Sequence, residues 1–269
     1  GAAIIDGALL LVAANETCPQ PQTTEHLMAL EMSGINKVIV IQNKIDLVPK
    51  DRVIRNHQQI KDFLKGTKYE NAPIIPISAQ HNINIDLLIK TIQEVITTPE
   101  RNLNLDPMML IARSFDVNKP GTKPKDIKGG ILGGAIMQGK LKVGDKIEIR
   151  PGRIVEEHNQ IVAKPITTTI ISAMTGSTPV QELHLGGSVA LMTDLDPSIV
   201  FSDKLTGNIV GLPGKLPKIW YTFELECHLL ERVVGAKEEL KVEGIKPNEI
   251  LMLNVNSAAT VGFVNSISK

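Results

Sequence analysis

Aromatic side chains are scarce in this 269-residue sequence, where five Phe, two Tyr and one Trp make up 3% of the chain. The core therefore has to be built mainly from Ile, Leu, Val and Ala, and a stacking platform for unpaired bases is not expected. Cysteine is rare as well, since Cys18 and Cys227 are the only two. Neither belongs to a C-x-x-C pair or a Cys/His ladder, so the sequence predicts no disulfide framework and no metal site, which fits a reducing cytosol.

An excess of one charge is also missing, because 29 Lys and Arg residues balance 29 Asp and Glu residues. With no net charge, the chain as a whole has no electrostatic attraction to nucleic acid or to an acidic membrane surface, so any RNA contact has to be local. The longest apolar stretch near the start, residues 8–14, is far shorter than the ~20 residues that a membrane-spanning helix needs. With 42% hydrophobic and 22% charged residues, the sequence predicts a soluble, cytoplasmic protein without membrane contact.

Strands and helices alternate in the part of the sequence before Pro99. Helical patterns separate the strands; Thr23 or Thr24 is placed to cap the first helix, and Asp51 opens the second. The alternation predicts a parallel α/β sheet with ligands at the carboxyl ends of its strands. Three runs are apolar on both faces and suit parallel strands covered on each side: residues 9–13, 38–41 and 74–77.

Beyond Pro99 the pattern changes to short alternating strands punctuated by glycine, which is typical of a β-barrel. A second β-rich region begins near Gly207 and offers about three further strands, too few to close a barrel without open edges. The sequence also begins without Met and enters at once into buried-type residues, so we expect a chain truncated at both ends. The strands predicted for the first barrel are 108–117, 131–137, 146–150, 167–171 and 188–192, and those for the second region are 219–226, 249–255 and 261–267.

An N-K-x-D pattern follows the second predicted strand directly. In it, the Asp46 carboxylate accepts hydrogen bonds from guanine N1–H and N2–H₂, a donor pair that adenine does not present. Asn43 suits guanine O6 and N7, and the Lys44 stem suits the face of the base. The alternative is a polar loop at a strand end that Asp46 merely caps. The pattern comprises Asn43, Lys44, Ile45 and Asp46.

A second short motif follows the next strand, where it would contact the same ligand as the first motif. The backbone N–H groups around Ser78 and Ala79 are expected to reach guanine O6. Two motifs at neighbouring strand ends favour a guanine site over an incidental match, because ligands of such sheets lie at this edge. This second motif comprises Ser78, Ala79 and Gln80.

Together these motifs resemble the fourth and fifth guanine-binding motifs of the translational GTPases. Residues 15–26 are similar to the Pro-x-Pro-Gln-Thr-x-Glu-His segment of elongation factor Tu, and closer still to the gamma-subunit family of translation initiation factor 2, in its archaeal form. The resemblance covers essentially the whole chain. Further resemblance to that family lies in residues 113–121, 128–130, 230–235 and 236–240.

The resemblance implies the fold and the partners. We expect the C-terminal part of a Ras-like parallel-sheet G domain in residues 1–104, a β-barrel in residues 105–206 and an incomplete second barrel in residues 207–269. It implies GTP or GDP and Mg²⁺ as ligands, GTP hydrolysis, and delivery of methionylated initiator tRNA to the small ribosomal subunit. It also implies alpha and beta subunits of the same factor as partners.

The parts of a GTPase that act on phosphate are missing from the sequence. There is no Gly-rich loop ending in Gly-Lys-Ser/Thr and no Asp-x-x-Gly switch, so we expect the Mg²⁺ ligands to lie outside this chain and the chain alone to have no catalytic residues. Residues 134–141 imitate the spacing of the phosphate loop, but Leu141 cannot bind magnesium. Their β-type surroundings predict a barrel strand and turn instead.

One basic loop in the first predicted barrel is a candidate RNA contact. The alternative is an ordinary solvated loop that carries lysines, in which the glycines are needed because neighbouring strands lie close to them. The resemblance favours tRNA, because in such factors the acceptor end lodges between the nucleotide domain and the first barrel. Lys119 also lies in this loop; the candidate tRNA-binding residues are Lys123, Lys125, Lys128, Gly129 and Gly130.

Two other functions remain open from the sequence. One is a tRNA carrier of the elongation or selenocysteine type, against which residues 15–26 and 113–121 argue. The other is a scaffold that presents two β-rich units to a partner protein and turns over no nucleotide.

Overall fold

The computed structural model describes residues 5–98, 100, 102–158, 160–227, 229 and 242–268. Two compact units divide the chain: one holds the residues before Glu100, and the other holds residues 100–227 together with residues 245–269. No helix in the described ranges is long and apolar enough to cross a membrane.

The first unit is a three-stranded parallel sheet with helices in the connections, as predicted. Its strands lie in the order β1, β2, β3, and the central strand pairs Leu10 with Val40 and Val40 with Ile74. Parallel neighbours need a crossover between them, and the helices supply it. The elements are β1 (Ala8–Ala13), α1 (Pro21–Met32), β2 (Val38–Asn43), α2 (Lys50–Leu64), β3 (Ile74–Pro76) and α3 (Ile85–Val95).

The central strand β2 is buried on both faces, which is the environment that its continuous apolar run predicted. One face packs with α1 and α2 around Ile60 and Leu64, and the other packs with α3 around Ile39 and Ile41. Strand β1 differs from the prediction. On the face that β1 shares with Ile39 and Ile41, Leu9 and Leu11 keep 40% and 58% of their exposure, so only one face of β1 is covered.

Helix α1 begins earlier than the threonine caps predicted. Gln20 occupies the cap position and Pro21 the first turn, while the Thr24 hydroxyl donates to the Gln20 carbonyl from inside the helix. Proline suits this position because its φ is preset and its missing N–H would have no helical partner. Helix α2 likewise begins at Lys50, one residue before the predicted start at Asp51.

The second unit contains a closed six-stranded barrel, which confirms the predicted architecture. The ring runs β11, β5, β4, β12, β7, β8 and returns to β11 through an additional antiparallel pairing with β8. Its interior is filled by aliphatic side chains such as Ile111, Leu132 and Leu191, all fully buried. The ring strands are β4 (Met108–Phe115), β5 (Ile131–Gln138), β7 (Lys146–Glu157), β8 (Gln160–Thr175), β11 (Val189–Thr193) and β12 (Ile209–Gly211), with β6 (Leu141–Lys142), β9 (Thr178–Val180), β10 (Glu182–Leu183) and the short helix α4 (Pro197–Val200) between them.

Strands β7 and β8 are much longer than predicted. The strand predicted for residues 146–150 ends just before Pro151-Gly152, but in the structure the pairing shifts register between Ile149 and Arg153 and then continues. Gly152 adopts φ +83°, a conformation that favours glycine. A bulge therefore bends the strand at the point where the predicted strand ends.

The segment assigned to the second β-rich region is divided differently in the structure. Strand β12 pairs with both β4 and β7, so residues 209–211 belong to the sheet of the first barrel. Residues 219–226, predicted as a strand, are without strand pairing in the described part of the chain. The two later strands form one hairpin, β13 (Ile250–Val255) and β14 (Ala258–Phe263). The family-like residues 230–235 and 236–240 lie outside the described residues.

Candidate functional site

The two predicted guanine motifs lie side by side at the carboxyl ends of β2 and β3. The Ile77 N–H donates to the Gln42 carbonyl at 2.8 Å, and the Ile45 N–H donates to the Ile77 carbonyl at 3.3 Å. These backbone bonds fix the loop after one strand against the loop after the other. The structure thus brings Asn43–Asp46 together with Ser78–Gln80, as parallel neighbours require.

Asn43 forms the direct link between the motifs. Its Oδ1 accepts hydrogen bonds from the Lys44 N–H at 2.7 Å and from the Ala79 N–H at 3.2 Å. Its Nδ2 has no hydrogen-bond partner among the described residues. Because N7 and O6 of guanine are acceptors, the free Nδ2 donor is the part of Asn43 that suits the base.

Lys44 has the left-handed backbone conformation, with φ 63° and ψ 34°. This conformation is uncommon for a residue with a side chain and tends to occur where the surrounding structure enforces it. A short 3₁₀ helix, Ile45–Leu47, follows immediately, and the Leu47 N–H donates to the Lys44 carbonyl. The reversal of the chain turns Asp46 towards the loop after β3.

Asp46 is the acceptor expected for the guanine donors, and its surroundings keep it ionised. Hydrogen bonding from the Ser78 hydroxyl lowers the pKa of the Asp46 carboxyl; a backbone hydrogen bond and the nearby charge of His81 act in the same direction, against partial desolvation. Ser78 is fully buried, whereas the Asp46 side chain keeps 17% of its exposure. An ionised carboxylate with only acceptor sites matches the two donors of guanine.

The loop that follows β3 closes into a tight turn. The Ser78 N–H donates to the Ile83 carbonyl at 3.3 Å, and the Ile83 N–H donates back at 3.0 Å. The amide of Ser78 is thus occupied, and that of Ala79 is shared with Asn43. That backbone N–H groups around Ser78 and Ala79 reach guanine O6 stays a prediction. Among them, the Gln80 amide has no hydrogen bond within the described residues.

Two supporting residues were missed by the sequence analysis. Gln42 is fully buried, and its Nε2 donates to the Val53 carbonyl at 2.9 Å and to Asn56 Oδ1 at 2.8 Å. Asn56 in turn donates to the Glu16 carbonyl at 2.8 Å. This network ties the loop after β1 and helix α2 to the strand that ends in Asn43. The available signal was a glutamine inside an otherwise apolar strand.

A cavity of about 560 Å³ opens beside Asn43 and Lys44. Its walls come from the ends of β1 and β2 and from the first two turns of α1, including Thr23 and His26. Asp46 and Ser78 do not line this cavity. The space therefore adjoins the candidate base-reading groups rather than enclosing them.

The basic loop of the barrel is fixed at its two ends by Asn118. The Asn118 Nδ2 donates to the Lys128 carbonyl at 2.7 Å, and the Lys128 N–H donates to Asn118 Oδ1 at 2.8 Å. Lys123, Lys125 and Lys128 are exposed and form no ion pair with the described residues. Their positive charge is therefore available to a phosphate.

Gly129 and Gly130 have a structural explanation. A Cβ on Gly129 would overlap the Thr193 carbonyl oxygen, and one on Gly130 would lie 2.6 Å from the methyl groups of Val200. The Gly130 N–H also donates to the Leu195 carbonyl at 2.9 Å. These contacts support crowding inside the barrel as the reason for both glycines, and a tRNA role for them stays a prediction.

Residues 134–141, which imitate a phosphate loop, lie in a strand and turn as predicted. They span the end of β5 and the start of β6, Gly139 has φ +66°, and Leu141 is fully buried. Lys140 faces Glu182 at 3.5 Å. A phosphate loop joins a strand to a helix, so this segment does not have the geometry of one.

In a comparison with known proteins, two regions of the chain match family models. Residues 1–98 match the elongation factor Tu GTP binding domain, and residues 221–269 match the C-terminal domain of initiation factor eIF2 gamma. The chain is 56% identical over its full length to translation initiation factor 2 subunit gamma of Pyrococcus furiosus, and 56% identical over 99% of its length to that of Methanocaldococcus jannaschii.

The chain belongs to the gamma-subunit family of translation initiation factor 2. It spans 66% of the length of the Pyrococcus furiosus relative and 65% of that from Methanocaldococcus jannaschii.

Solved structures of translation elongation factor SelB from Methanococcus maripaludis have a similar fold. The complex with the GTP analogue GppNHp superposes with a TM-score of 0.67 at 23% identity, covering 97% of this chain and 51% of the other. The apo form gives 0.62 at 27% identity over 79% of this chain and 42% of the other. Identity to the gamma subunits is about twice as high, which argues against the selenocysteine-carrier alternative.

Proposed function

We propose that this chain contains the guanine-reading half of the nucleotide site of a gamma subunit of initiation factor 2. The observation that carries the proposal is the hydrogen bonding of Asn43 Oδ1 to the Ala79 N–H, together with an ionised Asp46 beside Ser78. Those contacts are made within the protein and hold the two motifs together. A site held by contacts of its own loses less entropy when the ligand binds.

Each residue has a distinct role in this proposal. The two oxygens of Asp46 accept from guanine N1–H and N2–H₂, and Asn43 Nδ2 donates to N7 or O6. The Lys44 stem covers the face of the base, and Ile45 anchors the turn through its bond to the Ile77 carbonyl. The amides near Ala79 and Gln80 face O6.

The phosphate chemistry belongs to the whole protein. We propose that the parent binds GTP or GDP with Mg²⁺ and hydrolyses GTP, with the magnesium ligands in parts of the protein that this chain does not include. The described residues hold no group of three or more His, Cys, Asp or Glu side chains suited to a metal. Magnesium would neutralise charge on the phosphates, while the residues of this chain bind the base.

The carrier role is also proposed for the whole protein. It would deliver methionylated initiator tRNA to the small ribosomal subunit in the cytoplasm, together with alpha and beta subunits. The family relationship and the unpaired lysines of the basic loop support this proposal. The test is the binding of methionylated initiator tRNA to a variant of the whole protein in which Lys123, Lys125 and Lys128 are replaced by Ala.

Asp46→Asn in the whole protein tests the guanine site. The amide would place a donor against a guanine donor, which costs about 1–3 kcal/mol, or about 5–150-fold in GDP affinity. Xanthine carries a carbonyl in place of the amino group, so XDP should gain affinity from the same change. Competition binding with GDP and XDP measures the loss of affinity for the first and the gain for the second.

Asp51→Asn is the matched control, because the Asp51 side chain is 73% exposed on α2, where it pairs with Arg55. This control should keep the preference for GDP. If Asp46→Asn keeps it as well, the assigned role of Asp46 is wrong.

A further inference from the structure

His81 lies next to the guanine-reading carboxylate in the turn between Ser78 and Ile83. Its Nε2 is 3.7 Å from Asp46 Oδ2, and its side chain is 60% exposed. Its backbone N–H donates to the Ser78 hydroxyl oxygen at 3.3 Å. The same turn therefore brings two groups to Asp46, the Ser78 hydroxyl and the His81 imidazole.

His81 approaches Asp46 at Oδ2. Each oxygen of a carboxylate has about two lone-pair sites. Oδ2 can therefore accept from one guanine donor and from the His81 imidazole at the same time.

We propose that His81 is a positioning residue that holds Asp46 Oδ2 in place, so that both carboxylate oxygens face the two donors of guanine. The inference rests on the proposed guanine site and goes one step further, because it assigns the preference for a 2-amino purine. A carboxylate held at one oxygen only can swing and keep a single bond to N1–H. Holding the second oxygen makes the bond to the 2-amino group effective.

The geometry favours His81 over other residues for this role. No other side chain in the described ranges forms an ion pair with Asp46. The separation of 3.7 Å is longer than a hydrogen bond, and a small rotation of the exposed imidazole about its side-chain bonds brings Nε2–H into range. A neutral imidazole with its proton on Nε2 donates as an imidazolium does, so the role does not require a charge.

Comparison of GDP with IDP tests the proposal, because hypoxanthine lacks only the 2-amino group. In the whole protein, His81→Leu should reduce the ratio of GDP to IDP affinity by about three- to tenfold, most of it from weaker GDP binding. His81→Gln should restore the ratio, since its side-chain amide donates from a similar position. His57→Gln on α2, which does not line the site, is the control and should leave the ratio unchanged.

A purely structural role of His81 would lower both affinities equally, and that result would overturn the proposal. An unchanged ratio in His81→Leu, or a lowered ratio that His81→Gln fails to restore, would overturn it too. The thermal unfolding midpoint of each variant shows that the fold is kept.

Asp46→Asn separates this inference from the proposed site. A switch to XDP in that variant with no effect of His81→Leu rejects His81 alone. The absence of a switch rejects the guanine site and His81 with it.

Discussion

Gly134→Ala should destabilise the barrel, whereas the same change at the neighbouring Gly133 should not. A Cβ on Gly134 would overlap the carbonyl oxygen of Leu110 and lie 3.0 Å from the Leu110 carbonyl carbon. A Cβ on Gly133 would meet its nearest atoms at 3.8 Å, which is ordinary contact. Both glycines lie in β5 and pair with β4, so the two variants differ mainly in the space available.

The magnitude follows from two opposing effects. Replacing glycine by alanine reduces the freedom of the unfolded chain and stabilises the fold by about 0.4–1 kcal/mol where the backbone tolerates it. The atom that Gly134 faces is backbone, which cannot rotate away, so the strands must shift at a cost of about 1–3 kcal/mol. The middle values leave a net loss of about 1.3 kcal/mol, which would lower the Tm of the barrel, a segment of roughly 100 residues, by about 5–10 °C.

Thermal unfolding of the whole protein, followed by circular dichroism, measures the change. Hydrogen exchange of peptides from β4 and β5 places it in the barrel rather than in the α/β unit. Gly133→Ala should unfold within a few degrees of the unchanged protein, or slightly above it. Equal effects of the two substitutions would refute the argument from close strand approach.

The remaining predictions concern the two candidate binding surfaces. Ser78→Ala removes the main cause of the lowered pKa of Asp46, so its carboxylate should become protonated at a higher pH. Affinity for GDP is fully present above this pKa and lost as pH falls through it, so the variant should lose its affinity at a higher pH than the unchanged protein. Ser33 is an exposed serine just after α1, and Ser33→Ala should not shift the profile. Replacing Lys123, Lys125 and Lys128 by Ala should weaken initiator tRNA binding and reduce the salt slope of log K by roughly 0.7–0.9 per lost phosphate contact, without changing the preference for methionylated over uncharged tRNA. An unchanged slope would assign the loop to solvent or to another subunit.

Local patterns were enough to predict the architecture of the first unit. The apolar run at 38–41 identifies a strand buried on both faces, and the structure contains it. The Asn43–Asp46 pattern and its position after a strand were likewise visible in the sequence. These features follow from residue periodicity and order along the chain, which a sequence states directly.

Closure of the barrel could not be predicted in the same way. Strand β12 is three residues long, and its partners Met109 and Ile149 lie far from it in sequence. The continuation of β7 past Gly152 also depends on its pairing with β8 rather than on the local Pro-Gly signal. Pairing across long sequence distances depends on tertiary packing, which overrides local propensity.

The sequence by itself determined which residue types are candidates to bind guanine, and the tertiary structure decided which of their atoms are free to do so. Only the fold shows that Asn43 Oδ1 accepts from the Ala79 N–H, that the amide of Ser78 is bonded to Ile83, and that His81 Nε2 lies 3.7 Å from Asp46 Oδ2. The physical reason is that a hydrogen-bonding atom serves a ligand only when no neighbour has already satisfied it. Those neighbours come from two loops that meet because parallel strands end at the same edge of the sheet.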